Sequence, residues 1–211
     1  MKNNCESIHT YCHDLPRYTF PFDSASIPKN GIYVLFERNE IGHGVDRIVR
    51  VGTHTGIDQL APRLKQHFLS KNKDRSIFRK NIGRAFLYKE NDTFLTQWNL
   101  DLTTKIMREQ HEEKIDMEYQ NLIEDKVSCY IQNNFTFAVI PVDNKADRLL
   151  FESKLISSIS LCKDCRPSTN WIGSKSPKTK IVESGLWQVN ELYKVCLKDS
   201  ELPLLFSGVE S

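Results

Sequence analysis

Gly31-Ile32-Tyr33-Val34-Leu35-Phe36 is an unbroken apolar run between Asn30 and Glu37. Its length suits a strand, and its lack of alternation suits a strand buried on both faces. A second run, Arg47-Ile48-Val49-Arg50-Val51, is stopped by Gly52. The polar stretch between them, Glu37–Asp46, carries Gly42 and Gly44 and reads as a loop. The two runs therefore predict an antiparallel hairpin.

Beyond the hairpin, a helix can start near Pro62 and run to about Ser70, with Leu60, Ala61, Leu64 and Phe68 as its apolar stripe. Ser76 can cap a second helix through Ile77, Ile82 and Phe86. Residues 99–132 are strongly charged and read as a helical excursion. Phe135–Ile140 is a third strand, stopped by Pro141, and a helix follows from about Asp147 to Leu161. Leu186–Leu197 reads as a last amphipathic helix. The first 28 residues, with Pro16, Pro21 and Pro28, read as an irregular extension wrapping the core. The expected fold is α+β: a small three-stranded antiparallel sheet flanked by helices, with a helical insertion at about 91–133 before the third strand. The expected division is an extension over 1–28, a domain over 29–173, and a C-terminal helix and tail over 174–211 packed on it.

At 211 residues, with 39% hydrophobic and 27% charged, the chain is ordinary for a globular protein. It is long enough to bury about 70% of its unfolded surface, so it needs no disulfide or metal to fold. No apolar run approaches the roughly 18 residues of a membrane span, and the N-terminus lacks an apolar signal core. Six cysteines without an export signal suggest free thiols in a reducing cytoplasm. A net charge of +2 excludes a protein that coats DNA by bulk charge. The distribution is uneven. Residues 61–90 hold nine Lys/Arg and two acids, residues 101–128 eight acids and four bases. A basic segment beside an acidic one fits a polyanion ligand, although such runs are usually solvated helix faces.

Three positions suggest chemistry. Helical pitch places Glu152 among Leu149, Leu155, Ile156 and Ile159, where an unpaired carboxylate costs several kcal/mol. Either a buried Arg or Lys compensates it, or a divalent cation does, with water or phosphate completing the shell. Arg63 and His67 share one helix flank at i, i+4. An Arg fork matches phosphate, and His hydrogen-bonds or shuttles a proton; an exposed basic edge is the simpler reading. Tyr33 points the same way as Gly31 and Leu35. A buried Tyr usually only bonds a neighbour, but beside a metal-polarised water it can act as a base.

In order, these residues resemble the GIY-YIG endonuclease superfamily. Gly31-Ile32-Tyr33 and Arg50-Val51-Gly52 resemble its two signatures, and Arg63 and His67 its active-site helix. Glu152 matches its metal-binding Glu, and Asn170 in Thr169-Asn170-Trp171 the Asn that often follows. The resemblance covers roughly residues 29–88 and 134–173 and implies the small antiparallel sheet expected above. Arg50 stands where the family has its second signature Tyr, and the sixteen residues between the signatures (34–49) exceed the usual hairpin. Unlike Tyr, Arg has no acceptor and a permanent charge.

The resemblance implies metal-dependent hydrolysis of DNA phosphodiesters, restriction-like or standalone. Glu152 would hold Mg²⁺ or Mn²⁺, Tyr33 would be the base, Arg63 would stabilise phosphate charge, His67 would position Tyr33 or relay its proton, and Asn170 would orient the site. Arg50 would contact phosphate, and Arg75, Arg79, Lys80 and Arg84 would track the DNA backbone. A first alternative is an impaired relative that binds DNA without cutting it. A second is a zinc or redox module built on Cys162-Lys-Asp-Cys165, with Cys5, His9, Cys12 and His13 as further ligands. Trp98, Trp171 and Trp187 read as core, and the 99–132 helices as a solvated pair rather than a partner surface.

Overall fold

The computed structural model describes residues 4–206. Its elements are α1 Cys5–Asp14, β1 Tyr18–Thr19, β2 Gly31–Gly42, β3 Val45–Gly52, α2 Leu60–Phe68, α3 Ile77–Lys89, α4 Leu95–Asn99, α5 Lys105–His111, α6 Met117–Asn134, β4 Phe135–Pro141, α7 Lys145–Ser160, α8 Thr179–Ser184 and α9 Leu202–Phe206. The class is α+β as expected, but the sheet has four antiparallel strands in the order β1-β4-β2-β3 rather than three. The added strand, β1, pairs Tyr18 with Phe137 and Thr19 with Thr136. Two residues are too few to show any alternation in sequence. Among the described residues, no helix is long and apolar enough to cross a membrane.

The hairpin is longer than the apolar runs suggested. Ile41 pairs with Asp46 and Gly42 with Val45, leaving His43-Gly44 as a two-residue turn. Both turn residues have positive φ, 55° and 81°, as a hairpin turn matched to strand twist requires. The stretch read as a loop is strand because its polar residues are paired inside. Glu40 takes Arg47 at 2.6 Å, with both side chains almost wholly buried. Glu37 accepts the indole N–H groups of Trp171 (2.8 Å) and Trp187 (2.7 Å).

Burial on both faces is built by strict alternation. Tyr33, Leu35, Phe137 and Val139 pack on one face with α2, α3 and α6. Ile32, Val34, Phe36, Ala138 and Ile140 pack on the other with α1 and α7. The N-terminal segment is not irregular: Cys5, Ile8, His9 and Cys12 line the buried side of α1 at helical spacing. Nor is Leu186–Leu197 a helix. Its first residues lie along the outer edge of β3, where Trp187 N–H bonds the Val49 carbonyl (2.8 Å) and Gln188 Oε1 accepts from Val51 N–H (3.1 Å), and its later ones bond Ser160 and Ser158 of α7. Covering that edge consumes backbone groups that a helix would have used internally. In α7 the buried stripe is Phe151, Leu155, Ile156 and Ile159, while Leu149 is exposed and Glu152 sits half-buried at the margin.

Three of the four residues expected to track DNA do not lie on a solvated face. Arg79 is fully buried and donates through Nε (3.0 Å) and Nη2 (2.6 Å) to Glu124 of the acidic helix α6. Lys80 is buried on Asp74 at 2.8 Å. Arg84 is buried, donating to Asn99 (2.7 Å) and Asn81 (2.8 Å). Lys126 of α6 pairs with Glu90 at 2.7 Å, and Lys71 pairs with Asp125. The two segments are thus joined by three ion pairs, Arg79–Glu124, Lys71–Asp125 and Lys126–Glu90, while Asp74 takes Lys73 and Lys80 within the basic segment itself. Of the four residues expected to track DNA, only Arg75 is exposed. Arg79→Ala strands Glu124 in the core and is expected to cost about 3–5 kcal/mol in urea denaturation; Arg79→Met with Glu124→Leu is expected to cost much less. Equal losses in both variants would contradict this pairing.

Candidate active site

Tyr33 and Gly52 face each other across the β2–β3 ladder. A Cβ on Gly52 would meet the Tyr33 hydroxyl at 2.3 Å and its Cζ at 2.4 Å, so the ring lies over a position that only glycine permits. From there the hydroxyl reaches His67 Nε2 at 2.7 Å, and His67 Nδ1 lies 2.7 Å from Ser76 Oγ. Ser76 also accepts from Arg79 N–H and so caps α3. His67 has no exposed surface. Burial first, then the charges of Arg63, Arg50 and Arg79, hold its pKa well below the ordinary histidine value. It is therefore neutral, and with the proton on Nδ1 its Nε2 accepts the Tyr33 O–H.

Arg50 reaches the same face through a β-bulge. Leu35 pairs with Arg50 and Phe36 with Ile48, leaving Val49 extra. Val49 and Arg50 then both pack on the Tyr33 side. The Arg50 guanidinium stacks 5.4 Å from the Phe78 ring centroid and donates to the Trp187 carbonyl at 2.7 Å. Among the described residues its buried Nε has no partner.

Glu152 approaches from α7. Its Oε1 accepts from Thr53 N–H at 3.1 Å, and Thr53 Oγ1 donates to the Gly31 carbonyl at 2.7 Å. The carboxylate is thus tied to the point where β2 begins and β3 ends. Burial raises its pKa; Arg50, the Thr53 N–H and Arg63 oppose this, and Glu191 adds to it. Among the described residues Glu152 makes no ion pair.

Arg63 lines a groove of about 490 Å³ with Thr53–Gly56, Gln59, Pro62 and Gln66. It donates to Gln66 Oε1 (2.9 Å) and to the Arg75 carbonyl (3.0 Å), which aligns it along the groove. His54, which the turn-rich sequence around it concealed, shapes the same loop: its ring bonds the Gly56 carbonyl (2.7 Å) and Gly31 N–H (3.4 Å).

Tyr33, Arg50, Arg63, His67 and Glu152 are thus gathered around one end of the hairpin. Asn170 is not among them. It is exposed in a turn between Ser168, which bonds Glu40, and Trp171, which bonds Glu37. Glu37 lies four strand residues from Tyr33, a distance of about 13 Å.

The groove lining carries no acid, so Glu152 at its margin would be the carboxylate ligand of any cation there. A single hard oxygen donor with its second oxygen unbonded suits Mg²⁺ or Mn²⁺, which keep several waters. The soft donors Cys5, His9, His43 and Cys165 form a separate cluster, with Cys5 and Cys165 in the core on the opposite face of the sheet.

His67 gives a signed pH prediction. Below about pH 6.5 the unfolded chain protonates this histidine and the folded chain does not, so stability falls as pH falls. The loss is expected to approach about 1.4 kcal/mol per pH unit. In His67→Gln that part of the slope is expected to vanish, read by urea denaturation at pH 7 and pH 5.5. The same slope in both proteins would contradict a buried neutral His67.

No curated protein and no solved structure matches the chain. A family model does: the GIY-YIG domain, over residues 17–205. With the signature Tyr33 on β2, its His67 partner on α2 and Glu152 on the helix after β4, that match means the chain belongs to the GIY-YIG family.

Proposed function

We propose that this protein is a divalent-metal-dependent endonuclease that hydrolyses DNA phosphodiesters. The observation that carries this reading is the line Tyr33–His67–Ser76, with 2.7 Å at each step, ending beside the groove to which Thr53 ties Glu152. When bound, the cation would neutralise charge on the scissile phosphate and polarise a water. Glu152 would hold it through the oxygen that Thr53 leaves unbonded. Arg63, on the groove wall, would bind the phosphate oxygens through its fork. Tyr33 would take the proton of the attacking water and pass its own to neutral His67. Ser76 Oγ would accept from the Nδ1 proton and so leave Nε2 free to receive it. Arg50 would supply a second positive charge close to Glu152 and His67. Tyr33 has no exposed surface, so its surroundings would have to open for water to reach the hydroxyl.

That seal also favours a second reading, a relative that binds DNA without cutting it. Arg50 supports this too, being fastened to the Trp187 carbonyl where the family has a tyrosine. Supercoiled and branched DNA incubated with Mg²⁺ or Mn²⁺ separate the two. On the nuclease reading, wild-type protein cleaves, and Glu152→Ala and Arg63→Ala each lose at least about 100-fold. Cleavage unchanged in Glu152→Ala contradicts it. Salt-dependent binding without cleavage by either protein, with cleavage gained in Arg50→Tyr, supports the second reading. For binding itself, Arg75→Ala is expected to reduce the log–log salt slope by about one, while Arg84→Gln leaves it unchanged because Arg84 is already bonded inside. A reduced slope in Arg84→Gln would place α3 against DNA after all.

A further inference from the structure

Far from the groove, three thiols and two imidazoles converge. Cys5 and His9 come from the first turns of α1, His43 from the tip of the β2–β3 hairpin, and Cys162 and Cys165 from the chain leaving α7. Donor atoms of Cys5, His9, His43 and Cys165 all lie within 4.8 Å of one another. Cys162 Sγ is 3.5 Å from His43 Nε2, Cys165 Sγ 3.3 Å from His9 Nε2 and Cys5 Sγ 3.4 Å from His9 Nδ1. A tetrahedral zinc with Zn–S near 2.3 Å and Zn–N near 2.0 Å sets its ligands roughly 3.3–3.8 Å apart. Buried cysteines are ordinarily small apolar fillers, which would not bring three thiols and two imidazoles together.

His43 sits at the hairpin tip with φ +55°, a conformation that histidine, like Asn and Asp, adopts more often than most residues, and its Nε2 faces the Cys162 thiol. Beside it, a Cβ on Gly42 would come within 2.8 Å of Cys165 Sγ, so glycine clears the space in which that thiol sits. Of the two histidines, His9 is already engaged by the backbone through both nitrogens. Its Nδ1 lies 2.8 Å from the Cys5 carbonyl, and its Nε2 accepts from Ile48 N–H at 3.1 Å.

We propose that Cys5, His43, Cys162 and Cys165 bind a structural zinc ion, with His9 as the buttress that holds Cys5 and Cys165 in place. Binding releases the three thiol protons to solvent and takes up a lone pair from neutral His43. All four positions are filled by protein, so the site has no open position for catalysis. It staples the first helix, the hairpin tip and the end of α7. The staple sets the lie of the helix that carries Glu152, independently of whether the groove cuts DNA.

Full-length protein purified without chelator or added metal tests this by elemental mass spectrometry. About one zinc per chain is expected. Cys162→Ser and Cys165→Ser are expected to lose it, while Cys129→Ser, outside the cluster, and Glu152→Ala retain it. Should the cluster variants prove insoluble, cobalt exchange into the wild-type protein decides. Visible absorption of a tetrahedral site with thiolate-to-cobalt charge transfer supports the assignment. Protein without zinc that gives no such spectrum overturns it. So does zinc retained in both serine variants, and so does a disulfide within the cluster in freshly purified protein.

Discussion

The Tyr33 ring lying across Gly52 is the contact on which the rest of the site depends. Neither partner tolerates much change: a methyl group on Gly52 would collide with the ring, and the ring's position aims the hydroxyl at His67. That bond joins the central hairpin to α2, and His67 in turn joins α2 to the cap of α3 through Ser76. The Arg79 guanidinium, which bonds the His67 carbonyl at 3.0 Å, extends the same network to Glu124 of α6. A local demand for glycine at one strand position thus organises the sheet face, two helices and the charged insertion.

The opposite face does a different job. There α1 and α7 pack on the other side of the same strands, and α7 delivers Glu152 to the end of the hairpin. The sheet separates two chemistries. Hard oxygen and guanidinium groups gather at the groove, and thiols and imidazoles gather beneath the hairpin tip. Alternation along β2 puts Tyr33 on the groove side, whereas Glu152 reaches the groove from α7, on the thiol face, at the end of the strands.

The two apolar runs, the cap at Ser76, the third strand and the helix carrying Glu152 were all legible in the sequence, because each carries its own period or cap. What escaped legibility was set by long-range pairing. Glu37 and Glu40 look like loop residues until Trp171, Trp187 and Ser168 arrive from the far end of the chain to satisfy them. Arg79, Lys80 and Arg84 look like a DNA-binding face until Glu124, Asp74, Asn81 and Asn99 bury them. Leu186–Leu197 has helical periodicity, yet the open edge of β3 offers its backbone better partners. At the site, Tyr33, Arg63, His67 and Glu152 were joined into a set by the family resemblance, since each alone also had a plain structural reading. Asn170 shares that resemblance but sits beside Trp171, which is bonded to Glu37 midway along β2.

The nuclease account rests on Glu152 being a metal ligand that faces a phosphate held by Arg63. A crystal structure with Mn²⁺ and a short DNA duplex, phased on the manganese edge, examines this most directly. The account predicts an anomalous peak bonded to the Glu152 carboxylate, with a backbone phosphate between it and Arg63. Ordered DNA lying against another surface, with no manganese at Glu152, would contradict it.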